Sequence, residues 1–359
     1  MNRGVSIALL IAAGACLWAA GTQNQPLVEM RSAYHLDVGE PLNNAPPVVT
    51  FTTVVLGGFR GILTDILWLR ASCLQDEGKY FELLQLSDWI TKLEPRCSEI
   101  WAFHAWNMAY NISVMMSEAA DRWRWVRNGF QLLRDEGIRY NPRDADLCWE
   151  LGWIFQNKIG GATDQAHRFY QQEWAREMTD LLGGPHPDYA RLQADPEARA
   201  RMRHEYKLDP ETMQKLDTAY GPLDWRLPST HALYWAWIGS QCATAKTSLP
   251  CDRLIYQAMA DSFRRGRLVF RPAEGVYETA PYPEILPNVL KAFDHAVAKH
   301  PDPSVRTAYL GFMQHAASVL HSLNKDDEAL RLIELMKTKF PADMIADYES
   351  RPPAPAMAP

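Results

Sequence analysis

The sequence is poor in the signatures that name an enzyme. It contains no GxSxG, HExxH, P-loop or GxGxxG, so the commonest nucleophile-elbow, zinc-protease, nucleotide and dinucleotide sites are missing. Its six cysteines form no CxxC, which excludes zinc ribbons, thioredoxin-type redox sites and haem attachment. Its ten His show no metal-ligand spacing, so no metal or cofactor is expected. Cations are not in excess: 37 Lys and Arg stand against 43 Asp and Glu, a net charge of −6. That is the wrong balance for a protein held on nucleic acid by bulk charge. Strand-like alternation is almost absent, Val48–Leu56 being the one β-branched run. A mean hydropathy of −0.29 excludes a polytopic membrane protein.

What is present is a folded chain. Its 359 residues are 47% hydrophobic and 22% charged, enough to bury the core of one large domain or two. Thirteen Trp are many for this length and direct attention to aromatic surfaces.

The N-terminus carries an address. Residues 4–20 are uncharged and follow Arg3, the pattern of a secretory signal. Three readings compete over 1–22. A membrane anchor needs about 17–20 apolar residues, and the run just meets this. Cleavage after Gly21 would release a soluble body. Ala13-Gly14-Ala15-Cys16 is similar to a bacterial lipobox without its leucine, with Cys16 as the lipid site. Each places the body on the outer side of a bacterial inner membrane, and the anchor is the reading adopted. Residues 23–47 form a polar, Pro-containing spacer, and 346–359 a Pro/Ala-rich tail without core residues.

From about residue 60 the recurring signal is helical. Leu83, Leu86, Ile90 and Leu93 step by threes and fours, as do Trp101, Ala105, Met108 and Ile112, and Trp123, Val126, Phe130 and Leu133. Val305, Ala308, Phe312, Ala316 and Val319 repeat the pattern. Asp195-Pro196, Asp209-Pro210 and Asp302-Pro303 place an N-cap before a Pro at the first helical position. Pro95, Pro142 and Pro341 stop helices. Short helices joined by short turns predict an all-α body over 48–345 built of stacked antiparallel hairpins. Arg60 and Asp65 break the apolar stretch 48–69, which therefore reads as a first helix that lies near the membrane surface rather than as a span.

Particular residues carry a resemblance. Asp326–Pro341 resembles the second helix of a tetratricopeptide repeat, with Ala329 at the small-residue position and Pro341 at the end of a unit. Ala317 falls at the small residue of the preceding helix. Leu151-Gly152 with Phe155 matches part of a first helix, with Ala166 and Tyr170 after a short Gly160-Gly161 insertion. Leu93-Glu94-Pro95 and Tyr140-Asn141-Pro142 look like repeat ends, although Pro95 and Pro142 are further apart than the family's unit of about 34 residues. The segments 55–71 and 220–228 are similar to features of membrane-anchored, tetratricopeptide-like bacterial proteins. The resemblance implies an α-solenoid whose concave groove binds other proteins, here envelope proteins, and it carries no catalytic activity.

The insertion 183–228 interrupts the repeats and leads into an aromatic helix, the pattern of a binding loop. Asp224, Trp225 and Arg226, followed by His231, Tyr234 and Trp235, bring together residue types that dominate interfaces or bind sugars. The opposing reading has Trp225 plugging the core and Arg226 pairing with Asp224 to fix the loop. Trp123, Trp125 and Arg127, with Arg122 and Arg124, form a second cluster: either an interaction face, or a core Trp beside a solvated Arg face. Cys242 and Cys251 close a small loop if oxidised; otherwise they are small buried residues. Glu150, Asp224 and Glu274 are the carboxylates a helical-toroid hydrolase would pair. The sequence thus points to a non-catalytic scaffold first, a Trp-rich glycan-binding lipoprotein second and a hydrolase third.

Overall fold

The computed structural model describes residues 29–30 and 60–349. The expectations for the N-terminal run, Cys16, the spacer, the run 48–56 and the tail from residue 350 lie outside these residues. The described chain from residue 61 is almost wholly helical. Helix α1 is Arg60–Asp76 and α2 is Tyr80–Leu93. Continuous helices α3, α4 and α5 cover 98–115, 119–140 and 145–159, each containing one π-turn. Then follow α6 (His167–Leu182), α7 (Tyr189–Ala194), α8 (196–206, with a π-turn), α9 (Pro210–Tyr220), α10 (Pro228–Cys242) and α11 (Ser248–Arg265). After a hairpin of β1 (Arg267–Arg271) and β2 (Val276–Ala280) come α12 (Leu286–Lys299), α13 (Pro303–Ser322), α14 (Asp326–Lys339) and α15 (Ala342–Glu349). No described helix is long and apolar enough to cross a membrane.

The boundaries follow the chemistry of the sequence. Asp195, Asp209 and Asp302 each accept a backbone N–H from the first turn that they cap, with Pro at its start. Asp144 and Asp188 do the same for α5 and α7. Helices α2, α4 and α14 end just before Pro95, Pro142 and Pro341. Gly183, at φ +76°, ends α6 in the left-handed region.

The centre of the main core is α10, packed between α5 and α11. Its buried residues run from Pro228 to Gly239 around the whole helix, including Thr230, His231, Leu233, Tyr234 and Trp235. A helix apolar on every side belongs in an interior. Gly152 permits the close approach of α5: a Cβ there would stand 2.8 Å from Leu254 Cδ2 and 3.1 Å from the Ala232 carbonyl oxygen. A smaller cluster of Ala71, Leu74, Leu83, Ile90 and Ile100 joins α1, α2 and the start of α3.

One feature departs from the sequence reading. The antiparallel hairpin, with Val269 opposite Glu278 and Gly275 at φ +68° in its turn, comes from two five-residue stretches, too short for an alternation to stand out. On α1, Ile62, Ile66 and Leu69 are 55%, 58% and 68% exposed, a stripe at helical spacing opposite the side that packs on α2.

Candidate functional site

The structure takes Asp224, Trp225, His231, Tyr234 and Trp235 into the interior, as the core-plug reading has Trp225. Trp225 is fully buried. Its Nε1–H donates to Asp217 Oδ2 (3.0 Å) and its backbone N–H to the Pro185 carbonyl (2.9 Å). Asp217 also accepts the Leu223 N–H (3.0 Å) and the Tyr189 hydroxyl. Asp224 is held bidentately by Arg226 (2.9 and 2.7 Å), which also donates to the Leu268 carbonyl of β1. His231 stacks on Phe155, meets Trp174 edge-on and donates its Nε2–H to the Trp225 carbonyl at 2.9 Å. Tyr234 accepts the Asp209 N–H (3.0 Å) and packs edge-to-face with Trp235, itself buried. None of these six residues offers an open binding face. The physical reason is area: large rings gain most where they are covered. Burial pulls His231 down to about 4, so it is neutral at pH 7.

The second cluster is dispersed among neighbours. Trp123 is buried against Tyr170 and Phe130. Trp125 is half-buried, edge-on to Phe81 of α2. Arg127 pairs with Glu177 (2.8 Å), Arg122 with Asp164 (3.2 Å) and Arg124 with Asp121 (3.2 Å). Cys242 and Cys251 are free thiols in this structure. Cys242 Sγ turns back to the Ile238 and Gly239 carbonyls, while Cys251 Sγ faces the Ala145 carbonyl at 3.9 Å. Burial pushes the Cys251 thiol up to about 12, so it is no nucleophile at neutral pH. The three carboxylates named for hydrolysis are separated in the fold. Asp224 is taken by Arg226, exposed Glu274 pairs with Arg271 in the hairpin turn (3.1 Å), and Glu150 lies on α5. Among the described residues no cluster of three or more His, Cys, Asp or Glu is arranged for a metal ion.

One open feature lies between α3 and α5. A cavity of about 380 Å³ is lined on α3 by Ser98, Glu99, Ala102, Phe103 and Trp106, and on α5 by Asp146 and Glu150. Trp106 is 41% exposed and stacks on Tyr110 one turn on, at 4.4 Å between centroids. The Tyr110 hydroxyl donates to Asn157 Oδ1 (3.3 Å) and so ties the π-turns of α3 and α5. Trp149 and Trp153, stacked at 5.8 Å, share the side of α5 that carries Asp146 and Glu150, given about 100° per residue. Burial first, and then the charge of Asp146, raises Glu150 to about 7. Among the described residues no hydrogen bond or ion pair reaches its carboxyl. Lys246, in the connection after α10, acts electrostatically on Glu99 and Asp146.

Of this groove the sequence reading named only Glu150. Trp106 carried a usable signal: it falls out of step with the buried stripe Trp101, Ala105, Met108 and Ile112, so the helical period places it on another face. A buried network was also missed. Asp164 accepts from Lys158 Nζ (2.5 Å), Arg122, the Ala166 N–H (2.8 Å) and the Tyr170 hydroxyl (3.1 Å). Burial lowers the Lys158 ammonium, while Asp164 is held below the usual carboxylate range because these donors outweigh its own burial. With every oxygen taken, the pair pins the 160–166 connection to α4 and α6. Comparison of the chain with protein-family models, with curated proteins and with solved structures gives no match in any of the three.

Proposed function

We propose that the chain is a non-catalytic interaction scaffold. In this reading it is a tetratricopeptide-like helical array, tethered by its N-terminal run to the outer face of a bacterial inner membrane, that holds another envelope protein in the groove between α3 and α5. One observation carries the reading: a cavity of about 380 Å³ between two helices, with a Trp left 41% exposed beside it. Exposed aromatics in concave sites are typical anchors of protein interfaces. The repeat-like part draws support from the α13–α14 hairpin, where Ala317 and Ala329 are both buried in the main core. The tether draws support from the uncharged run 4–20 and from the apolar stripe of α1.

The test is a photo-cross-linking residue at Ala102, within the groove, in the full-length protein in intact membranes. A discrete adduct with one envelope protein, absent when the same group replaces exposed Arg124 on α4, is the expected result. Mass spectrometry of the N-terminus in the same sample should find residues 1–15 retained. No adduct from Ala102 would end the groove reading. A lipidated Cys16 without a protein partner would favour the second reading, a glycan-binding lipoprotein, for which the stacked Trp106–Tyr110 pair beside carboxylates is also suited. A blue shift or quenching of Trp fluorescence by a polysaccharide would then be expected.

A further inference from the structure

Resting on the groove reading, we infer that the occupant of the α3–α5 groove presents a basic side chain, the ammonium of a Lys or the guanidinium of an Arg in a partner's peptide segment. Every titratable side chain lining the cavity is a carboxylate: Glu99, Asp146 and Glu150. Their partners are unequal. Glu99 accepts from Cys97 Sγ and Ser98 Oγ (3.3 and 3.5 Å) and feels Lys246, as does Asp146. Glu150, the most withdrawn from water of the three, has only the repulsion of Asp146 for charged company on its own helix, with the Tyr110 ring system facing it from α3. A carboxylate in that position lacks a cation, and an incoming one would remove the cost of ionising it.

The aromatic side chains agree with the same chemistry. Trp106 is stacked on Tyr110, Trp149 on Trp153, and Phe103 lines the cavity. Indole faces attract ammonium and guanidinium groups, Trp most strongly. The aliphatic stem of a Lys or Arg would cover Ala102 and Phe103 while its head reaches Glu150. An acidic segment would meet three carboxylates, and a purely apolar one would leave them unpaired and dehydrated.

The inference has a pH signature. Glu150 rises to about 7 without an occupant, so it is mostly protonated at pH 5.5 and mostly ionised at pH 8. A cationic segment should therefore bind more tightly as the pH rises across that window. Two other carboxylates face the site: Glu99, held low first by its own backbone N–H and then by Cys97, and Asp146, raised by burial and then by Asp144.

The test uses the full-length protein and four fluorescent decapeptides of one Ala/Ser backbone carrying two Arg, two Lys, two citrulline or two Glu residues. Citrulline is the neutral isostere of Arg. Expected by anisotropy at pH 8 are Arg and Lys peptides binding at least about tenfold more tightly than the citrulline peptide, and the Glu peptide binding most weakly. Affinity for the Arg peptide should fall about tenfold between pH 8 and pH 5.5 in the native protein and stay flat in Glu150→Gln. Trp106→Phe should keep most of the binding and Trp106→Ala should lose it. Equal binding of Arg and citrulline peptides, preference for the Glu peptide, or no binding by any probe would overturn the inference. An adduct from Ala102 together with a flat charge series would overturn it while leaving the groove reading in place. Absence of the adduct ends both.

Discussion

Two regions of this molecule are rich in Trp and carboxylates, and they use them differently. In the segment from Pro185 to Trp235 both Trp rings, Tyr234 and His231 are buried. Trp225 lies against His231 and Tyr234, His231 lies between Phe155 and Trp174, and both nearby aspartates, 217 and 224, are saturated with donors. In the groove between α3 and α5 Trp106, stacked on Tyr110, stays 41% exposed, and among the described residues Glu150 has no donor. The first arrangement stabilises a long insertion that would otherwise be expensive to order. The second leaves interaction capacity unused, which is what a binding surface needs. Residue types alone do not separate the two; the number of satisfied partners does.

The sharpest way to break this comparison is to truncate one Trp on each side. Trp225→Ala should cost about 3–5 kcal/mol, or about 10 °C in melting temperature, because it opens a cavity and leaves Asp217 one donor short. A small shift would mean that the insertion is held by something else. Next comes acid. Burial holds His231 and His104 at about 4, below the ordinary 6.5. The unfolded chain therefore takes up these protons first. The stability they provide is complete above about pH 6.5 and is lost as the pH falls through about 4, up to about 3 kcal/mol for each histidine. At the groove the sign reverses, since Glu150 is raised and its protonation on acidification relieves a cost. Denaturant midpoints at pH 7, 5.5 and 4 should fall in the native protein and fall less in His231→Gln.

Ala329→Leu gives a smaller effect, about 1–3 kcal/mol from overpacking between α13 and α14. A neutral result would show that this hairpin has slack and would weaken the repeat-like reading. The smallest expected change is Trp106→Ala, under about 1 kcal/mol, because the side chain is already half in water. Calorimetry on the four proteins checks the ranking.

Much of the fold was legible because it is written in local code. The capping aspartates 195, 209 and 302 and the stopping prolines 95, 142 and 341 act within a few residues of themselves, so a linear reading finds them. The stripe Trp101, Ala105, Met108 and Ile112 is legible for the same reason. The hairpin was not, since strands of five residues give an alternation too short to stand apart. The candidate site was the least legible. His231, Tyr234 and Trp235 look exposed-capable in a list, and only α5, α11 and the insertion closing around α10 bury them. Lys158 and Asp164 are an ordinary pair of charges until the 160–166 connection folds over them. Trp106 and Glu150 meet only because α3 and α5 run side by side, which no short-range pattern encodes.

The most direct measurement pairs Trp106→Ala with Trp225→Ala in one experiment, reading melting temperature and the yield of the Ala102 cross-link. The account predicts that Trp106→Ala melts within a few degrees of the native protein and loses the adduct, while Trp225→Ala melts far lower. A Trp106→Ala protein that keeps the adduct, or that is as destabilised as Trp225→Ala, would contradict the assignment of the α3–α5 groove as the binding surface.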